Sequence, residues 1–516
     1  MTNGRLLWVD DEIDMLKPHV LFLRKKDYEV VTCTNGNDAL DLCRENGFDL
    51  VLLDENMPGL SGLETLEGIK EILPGVPVVM VTKNEAEDLM DQAIGSKIAD
   101  YLIKPVNPSQ ILLTLKKLVH RSEIVQEVTE TGYRKDFGRI GMQMGENLTP
   151  DEWIELYKRL VKWEIELSGV DGAMSEMLQM QKEEANQNFA KFVRRNYEQW
   201  IASPESRPLI SPDVFKRTVF PRLDAGRQVF VLVLDNFRFD QWRVLGDALS
   251  PLFDIDENLY FSILPTSTQY ARNALFAGMT PLQIREHYPD LWVDEEEEEG
   301  KNLNEEALIA RQLERFRRRE KFTYHKLNDS QAVERLLSGF STLVHVPLNV
   351  LVINFIDILS HARTESRMVR ELAANEAAYR SITLSWFRHS SIRELFTRLA
   401  AVDCDIVVTT DHGSIRVGSP VKVVGDRNVN TNLRYKLGKT LSYNPKEVFE
   451  VRSPKRFGLP APNLSTTYIF AQNDRFFAYP NNYNYYVSYY KDTFQHGGVS
   501  MEEMIVPLVT LRPKLR

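Results

Sequence analysis

Hydrophobic positions along residues 1–120 fall in short runs separated by amphipathic stretches. Leu6–Val9, Val30–Thr32, Leu50–Leu53, Val76–Val81 and Tyr101–Ile103 are each short, apolar and bounded by polar or turn residues, which predicts buried strands. Between them, stretches near 13–26, 37–46, 62–73, 85–95 and 108–120 repeat their apolar residues at helical spacing. Five strand–helix alternations predict a doubly wound five-stranded parallel sheet, because parallel neighbours require a crossover connection. Ligands of such sheets bind beyond the carboxyl ends of the strands.

The strand pattern stops near residue 121. Thr149-Pro150-Asp151-Glu152 then reads as a helix start, with Thr at the N-cap, Pro at the first helical position and Glu closing a capping box. Trp153, Leu156, Tyr157, Leu160, Val161 and Leu167 follow at helical spacing, with Glu164 the one polar interruption. Gly169 and Gly172 end that helix, and Met174–Trp200 carries a second long helical pattern. Strands return at Val229–Leu234, and Val350–Phe355 and Asp405–Thr409 are further buried runs in an alternating α/β pattern that continues to residue 516. Tyr483, Tyr485, Tyr486, Tyr489 and Tyr490 alternate in part and predict a β-hairpin with packed aromatics. The chain thus divides into 1–120, a helical connector over 121–205 and a large α/β region over 206–516.

Composition agrees with that division. A chain of 516 residues has room for about three domains. Its 43% hydrophobic and 26% charged content is ordinary for a globular protein and excludes a disordered or collagen-like chain. Three cysteines, Cys33, Cys43 and Cys404, neither staple a chain this size nor show metal-ligand spacing, so a reducing, cytoplasmic setting is expected. No run of about 18 apolar residues exists, which predicts neither a membrane span nor a signal peptide. A net charge of −10 argues against a general nucleic-acid coat. The acidic run Asp294–Glu299 and the basic run Arg315–Lys321 read as solvated faces.

Candidate chemistry gathers at strand ends. Asp10 and Asp11 follow the first strand, Asp54 the third, Thr82 ends the fourth, and Lys104 ends the fifth before Pro105. Three carboxylates at one sheet edge repel unless a cation sits among them, and Mg²⁺ suits an oxygen-rich, partly hydrated site. The pattern resembles the receiver domain of two-component response regulators, with the CheY-like fold. That resemblance implies that Asp54 accepts a phosphoryl group from a sensor histidine kinase and that Asp10, Asp11, Asp54 and the Asn56 carbonyl hold Mg²⁺. It also implies that Thr82 and Lys104 grip phosphoryl oxygens, that Tyr101 is the aromatic switch, and that Lys104-Pro105 is cis.

A second constellation spans some 260 residues. Asp235 ends one apolar strand, Asp357 follows another, and Asp411 with His412 follows a third. His361 lies four residues after Asp357, on one helical face or in one tight turn, and His496 sits in Gln495-His496-Gly497-Gly498. Mixed His and Asp ligands suit Zn²⁺ better than Mg²⁺. Hydroxyls in Pro265-Thr266-Ser267-Thr268 supply a candidate nucleophile, which a metal can activate. These residues resemble the alkaline phosphatase superfamily, particularly its phosphodiesterase and PglZ-type members. The resemblance implies two Zn²⁺ sites, one of Asp235, Thr268, Asp411 and His412 and the other of Asp357, His361 and His496, with Thr268 as nucleophile. Arg272, Asn273, Arg416, Arg434 and Lys436 lie near these segments, and the first three are the candidate contacts to a substrate phosphate.

The order of receiver, helices and PglZ-type region resembles the PorX-type response regulators linked to type IX secretion. This implies a zinc-dependent phosphodiesterase acting on nucleotide or oligonucleotide phosphodiesters, cyclic ones included, and a homodimer formed on phosphorylation. No helix-turn-helix signature is present, so no DNA-binding output is expected. The alternative is a non-catalytic, zinc-stabilised dimer that recruits a sigma factor or a secretion-motor protein; Thr268 favours the enzyme, since a structural metal needs no nucleophile.

Overall fold

The computed structural model describes residues 3–82, 98–119, 121–168, 172–295, 302–425 and 430–514, and the helix expected near 85–95 lies outside them. The chain forms two compact units, Met1–Gly132 and Tyr133–Arg516, so the connector from Tyr133 onward shares one unit with the large α/β region. Within the described residues no helix is long and apolar enough to cross a membrane.

In the first unit, β1 (Arg5–Val9), β2 (Glu29–Cys33), β3 (Leu50–Asp54), β4 (Val78–Thr82) and β5 (Asp100–Ile103) form one sheet. Its order is β2-β1-β3-β4-β5 and every pairing is parallel. The apolar runs become strands because both faces are covered: Leu6, Trp8, Leu50 and Leu52 pack on one side, Leu7, Val9, Val51 and Leu53 on the other. The strand order reverses between β1 and β3, and their carboxyl ends flank the crevice where such sheets bind ligands.

The second unit is built on a six-stranded sheet. It contains β6 (Val229–Leu234), β7 (Phe253–Phe261), β8 (Phe322–Leu327), β9 (Leu348–Ile353), β10 (Asp405–Thr409) and the strand Ile505–Pro513. From one edge the order is β7, Ile505–Pro513, β10, β6, β9, β8. β10, β6, β9 and β8 run parallel, and Ile505–Pro513 runs antiparallel to both its neighbours. One sheet edge therefore carries the carboxyl ends of β7, β10, β6 and β9 together with the start of Ile505–Pro513.

The connector helices pack into this unit. Thr149 caps the helix Pro150–Glu166 as its sequence predicts, accepting from the Glu152 N–H at 3.3 Å while the Thr149 N–H donates to the Glu152 carboxylate at 2.7 Å. Trp153, Leu156, Tyr157 and Leu160 join the core, as do Phe189, Val193 and Tyr197 of the helix Ala173–Ala202.

Two expectations change. The run expected over Val350–Phe355 is the strand Leu348–Ile353, and Phe355 already opens the helix Phe355–Glu365. The tyrosine-rich segment is a helix, Tyr483–Tyr490, not a hairpin. Its rings stack in i,i+4 pairs, Tyr485 on Tyr489 at 6.1 Å and Tyr486 on Tyr490 at 6.2 Å, a spacing a strand does not provide.

Candidate functional site

At the receiver-like edge, Asp10 follows β1 and Asp54 ends the adjacent β3, because Val9 pairs in register with Leu53. Carboxylate oxygens of Asp10, Asp11 and Asp54 lie within 4.8 Å of one another. Lys104 reaches across from the end of β5, its Nζ 2.8 Å from Asp10 and 3.0 Å from Asp54. Burial pushes the Asp54 carboxyl up, and the Asp10 charge adds to this while Lys104 opposes it. Burial works against the Lys104 charge, but its bonds to Asp10 and Asp54 outweigh burial and raise its pKa. Thr82, at the end of β4, donates its hydroxyl to Glu55. Asn56 lies in the loop after β3, Tyr101 on β5 is exposed, and Lys104-Pro105 is cis.

In the second unit, central strands β10, β6 and β9 deliver acids to neighbouring positions. Asp235, Asp411 and His412 form one set of ligand atoms within 4.8 Å, and Asp357, His361 and His496 form another. Asp357 and His361 occupy successive turns of the helix Phe355–Glu365, with His361 Nε2 3.5 Å from Asp357. His496 Nε2 is 3.9 Å from Asp357. The sets adjoin, since the His412 and His496 rings stack with centroids 4.2 Å apart.

Backbone carbonyls orient the buried His412 ring and the partly buried His496 ring. His412 Nδ1 lies 3.1 Å from the Gly413 carbonyl, and His496 Nδ1 lies 3.1 Å from the Thr266 carbonyl. A carbonyl only accepts, so each Nδ1 carries the proton and each Nε2 offers a lone pair to the site. Burial keeps both rings neutral: it lowers the His412 pKa, and with the neighbouring His412 pushes His496 down to about 4. Burial and the Asp235 charge push Asp411 up to about 8 and raise Asp357 as well. Asp235 is held low, because Arg272 and His412 outweigh the effect of burial. Neutral imidazoles beside crowded carboxylates are donor sets that fit divalent cations.

Thr268 stands beside the Asp235, Asp411 and His412 set, at the first turn of the helix Thr268–Ala277. Its hydroxyl is 3.1 Å from His412 Nε2 and 3.4 Å from Asp235. The helix N-terminus favours negative charge at this point. Ser267 occupies the N-cap position of that helix without a side-chain capping bond, and Thr266 is turned away: its hydroxyl donates to the Gly498 carbonyl at 2.9 Å and accepts from the Gly497 N–H at 3.0 Å.

Arg272 departs from expectation. Its guanidinium is buried, 2.7 Å from Asp235 and 2.6 Å from Glu305, so it braces a ligand and has no exposed fork for substrate. Asn273 is likewise buried on the same helix. Arg416 pairs with Asp492 at 2.9 Å beside a polar cleft of about 200 Å³ lined also by Lys182 and Glu502. Arg434 is committed to Glu503 at 2.5 Å, and buried Lys436 donates to the Asn430 carbonyl at 2.5 Å.

Asn236 escapes sequence reasoning. It adopts φ 60°, donates its N–H to Asp411 at 3.4 Å, and donates its side chain to Asp357 at 3.3 Å. It thereby bridges the two sets. An Asn directly after a strand-end Asp, a residue type that tolerates the left-handed turn, was the available signal.

A parallel sheet with an acidic, lysine-closed pocket, joined to a second sheet carrying paired Asp/His sets beside a half-buried threonine, defines a response regulator with a phosphatase-like effector. Residues 214–511, more than half of the chain, match the BREX system PglZ alkaline phosphatase-like domain, and the chain belongs to that family. Residues 6–116 match the response regulator receiver domain and 123–201 the PorX response regulator linker domain, giving the PorX-type architecture.

Among curated proteins, the transcriptional regulatory protein ZraR of Klebsiella oxytoca is 39% identical over 137 residues, 26% of this chain and 31% of that protein. The transcriptional regulatory protein ResD of Bacillus subtilis is 31% identical over 118 residues, 23% of this chain and 49% of that one. The chain thus spans about a third of the length of ZraR and about half of ResD. Among solved structures, a CheY-like receiver domain protein from Methanospirillum hungatei is 28% identical, covering 23% of this chain and 95% of its own, with a TM-score of 0.22.

Proposed function

We propose that the chain is a phosphorylation-controlled response regulator whose effector hydrolyses phosphodiesters with Thr268 as the nucleophile. A sensor histidine kinase supplies the phosphoryl group to Asp54, with Mg²⁺ held by Asp10, Asp11, Asp54 and Asn56. The observation that carries the effector reading is the place of Thr268, whose hydroxyl lies within 3.4 Å of both Asp235 and His412 at a helix N-terminus.

Asp235, Asp411 and His412 on one side, and Asp357, His361 and His496 on the other, would each hold a Zn²⁺. Zinc supplies positive charge that favours the ionised hydroxyl and offsets the charge of the transferring group. Thr268 Oγ1 then forms a bond to phosphorus as the bond to one ester oxygen breaks, and the released alkoxide takes a proton. Water next breaks the threonine–phosphorus link and returns the Thr268 hydroxyl. Asn236 holds the two acid sets in register, and Arg272 keeps Asp235 ionised. Nucleotide or oligonucleotide diesters are the substrate class that the family resemblance favours, with type IX secretion as the process controlled.

Metal exchange tests this reading. The chelator-stripped chain is expected to lose hydrolysis of bis(p-nitrophenyl) phosphate and to regain it with Zn²⁺ but not with Mg²⁺. Full activity in the stripped chain would contradict it.

A further inference from the structure

Glu164 is the polar interruption in an otherwise apolar helix face. It sits near the end of the helix Pro150–Glu166, 2.5 Å from Lys182 of the helix Ala173–Ala202 and 2.8 Å from Arg380. Arg380 continues to Asp240 at 3.1 Å, and Asp240 holds Arg238 at 2.5 Å. Arg238 also pairs with Glu376, and it lies three residues after the ligand Asp235. From Lys182 a second branch reaches Glu502 at 3.4 Å. Asn186, one turn further along the same helix, donates to the Glu502 carboxylate at 2.9 Å and accepts the Met501 N–H at 2.8 Å.

The segment Met501–Glu503 is where this network meets the metal-ligand loops. Gly413, next to His412, donates its N–H to the Glu503 carbonyl at 3.0 Å. It packs so closely that a Cβ there would stand 2.0 Å from the Glu502 carbonyl oxygen. Gly498, two residues after His496, donates its N–H to the Glu503 carboxylate at 2.8 Å. One short segment therefore seats a loop from each cation site, and the connector helix holds that segment by its Asn186 and Lys182.

Four carboxylates (Glu164, Asp240, Glu376, Glu502) face three cations (Lys182, Arg238, Arg380) here, all largely out of water except the partly exposed Glu376. A well-packed apolar contact is often as stable as such a network or more so, and ionic groups of this kind are best attested as fixing one register. We propose that the connector helix Ala173–Ala202 is a working part of the metal centre, with Asn186 and Lys182 as positioning residues. Acting through Glu502, they set the distance between the His412 and His496 loops and thereby the geometry of the paired cation sites. This rests on the two-cation reading of the effector but not on its hydrolytic activity.

The test uses full-length Asn186→Leu and Lys182→Gln, with Glu183→Gln on the same helix as the control. Zinc affinity, the absorption of the Co²⁺-substituted chain and thermal melting are measured for each. Asn186→Leu and Lys182→Gln are expected to weaken zinc binding by at least about 10-fold and to shift the Co²⁺ absorption well below the melting temperature. Glu502→Gln, which keeps an oxygen for Asn186 but gives up the charge facing Lys182, should weaken zinc binding less than Asn186→Leu does. Folded Asn186→Leu or Lys182→Gln with wild-type zinc affinity and Co²⁺ spectrum would overturn the proposal; if one variant fails to fold, the other decides. A wild type that binds two zinc ions but hydrolyses no diester overturns the preceding reading and leaves this one standing.

Discussion

At His412 and His496, one backbone hydrogen bond each decides what the imidazole can do. With Nδ1 committed to the carbonyls of Gly413 and Thr266, both rings present Nε2 lone pairs to the site. The carboxylates beside them set the pH response. Asp411, pushed up to about 8 by burial and by Asp235, carries a proton at neutral pH in the metal-free chain. A cation must displace that proton, so zinc affinity climbs as pH rises and levels off above about 8. Zinc titrations are expected to give binding at least about 10-fold tighter at pH 8 than at pH 6; affinity independent of pH would contradict the assigned protonation.

The strand-end acids were legible in the sequence, because an Asp closing an apolar run must lie at a sheet edge. The bracing residues were not. Thr266, Asn236 and Arg272 act through carbonyls and buried partners distant in sequence, and Arg272 reads as a phosphate contact until Glu305 is seen beside it.

At the scale of elements, local rules predicted what local forces determine. The Thr149–Glu152 box caps its helix as expected, and Thr149→Ala should cost about 1 kcal/mol in urea unfolding with no change in the denaturant slope. The tyrosine segment was misread because its partial alternation also satisfies helical i,i+4 spacing, and only the stacked pairs separate the two. The order of the six-stranded sheet was likewise hidden. Nothing local places the last strand, Ile505–Pro513, beside β10, although that pairing brings His496 to the edge where Asp411 lies.

For the whole molecule, the receiver likeness predicts assembly. Treatment with beryllofluoride, a phosphoryl mimic, should roughly double the mass measured in solution, and Asp54→Ala should abolish that change. An unchanged mass in the wild type would remove dimerisation from the account.

The central claim is phosphodiester hydrolysis through Thr268, and the rate of bis(p-nitrophenyl) phosphate cleavage by zinc-loaded wild type and Thr268→Ala, matched for bound zinc, tests it most directly. The account predicts a fall of about three orders of magnitude or more in the variant. Equal rates at equal zinc content would contradict it.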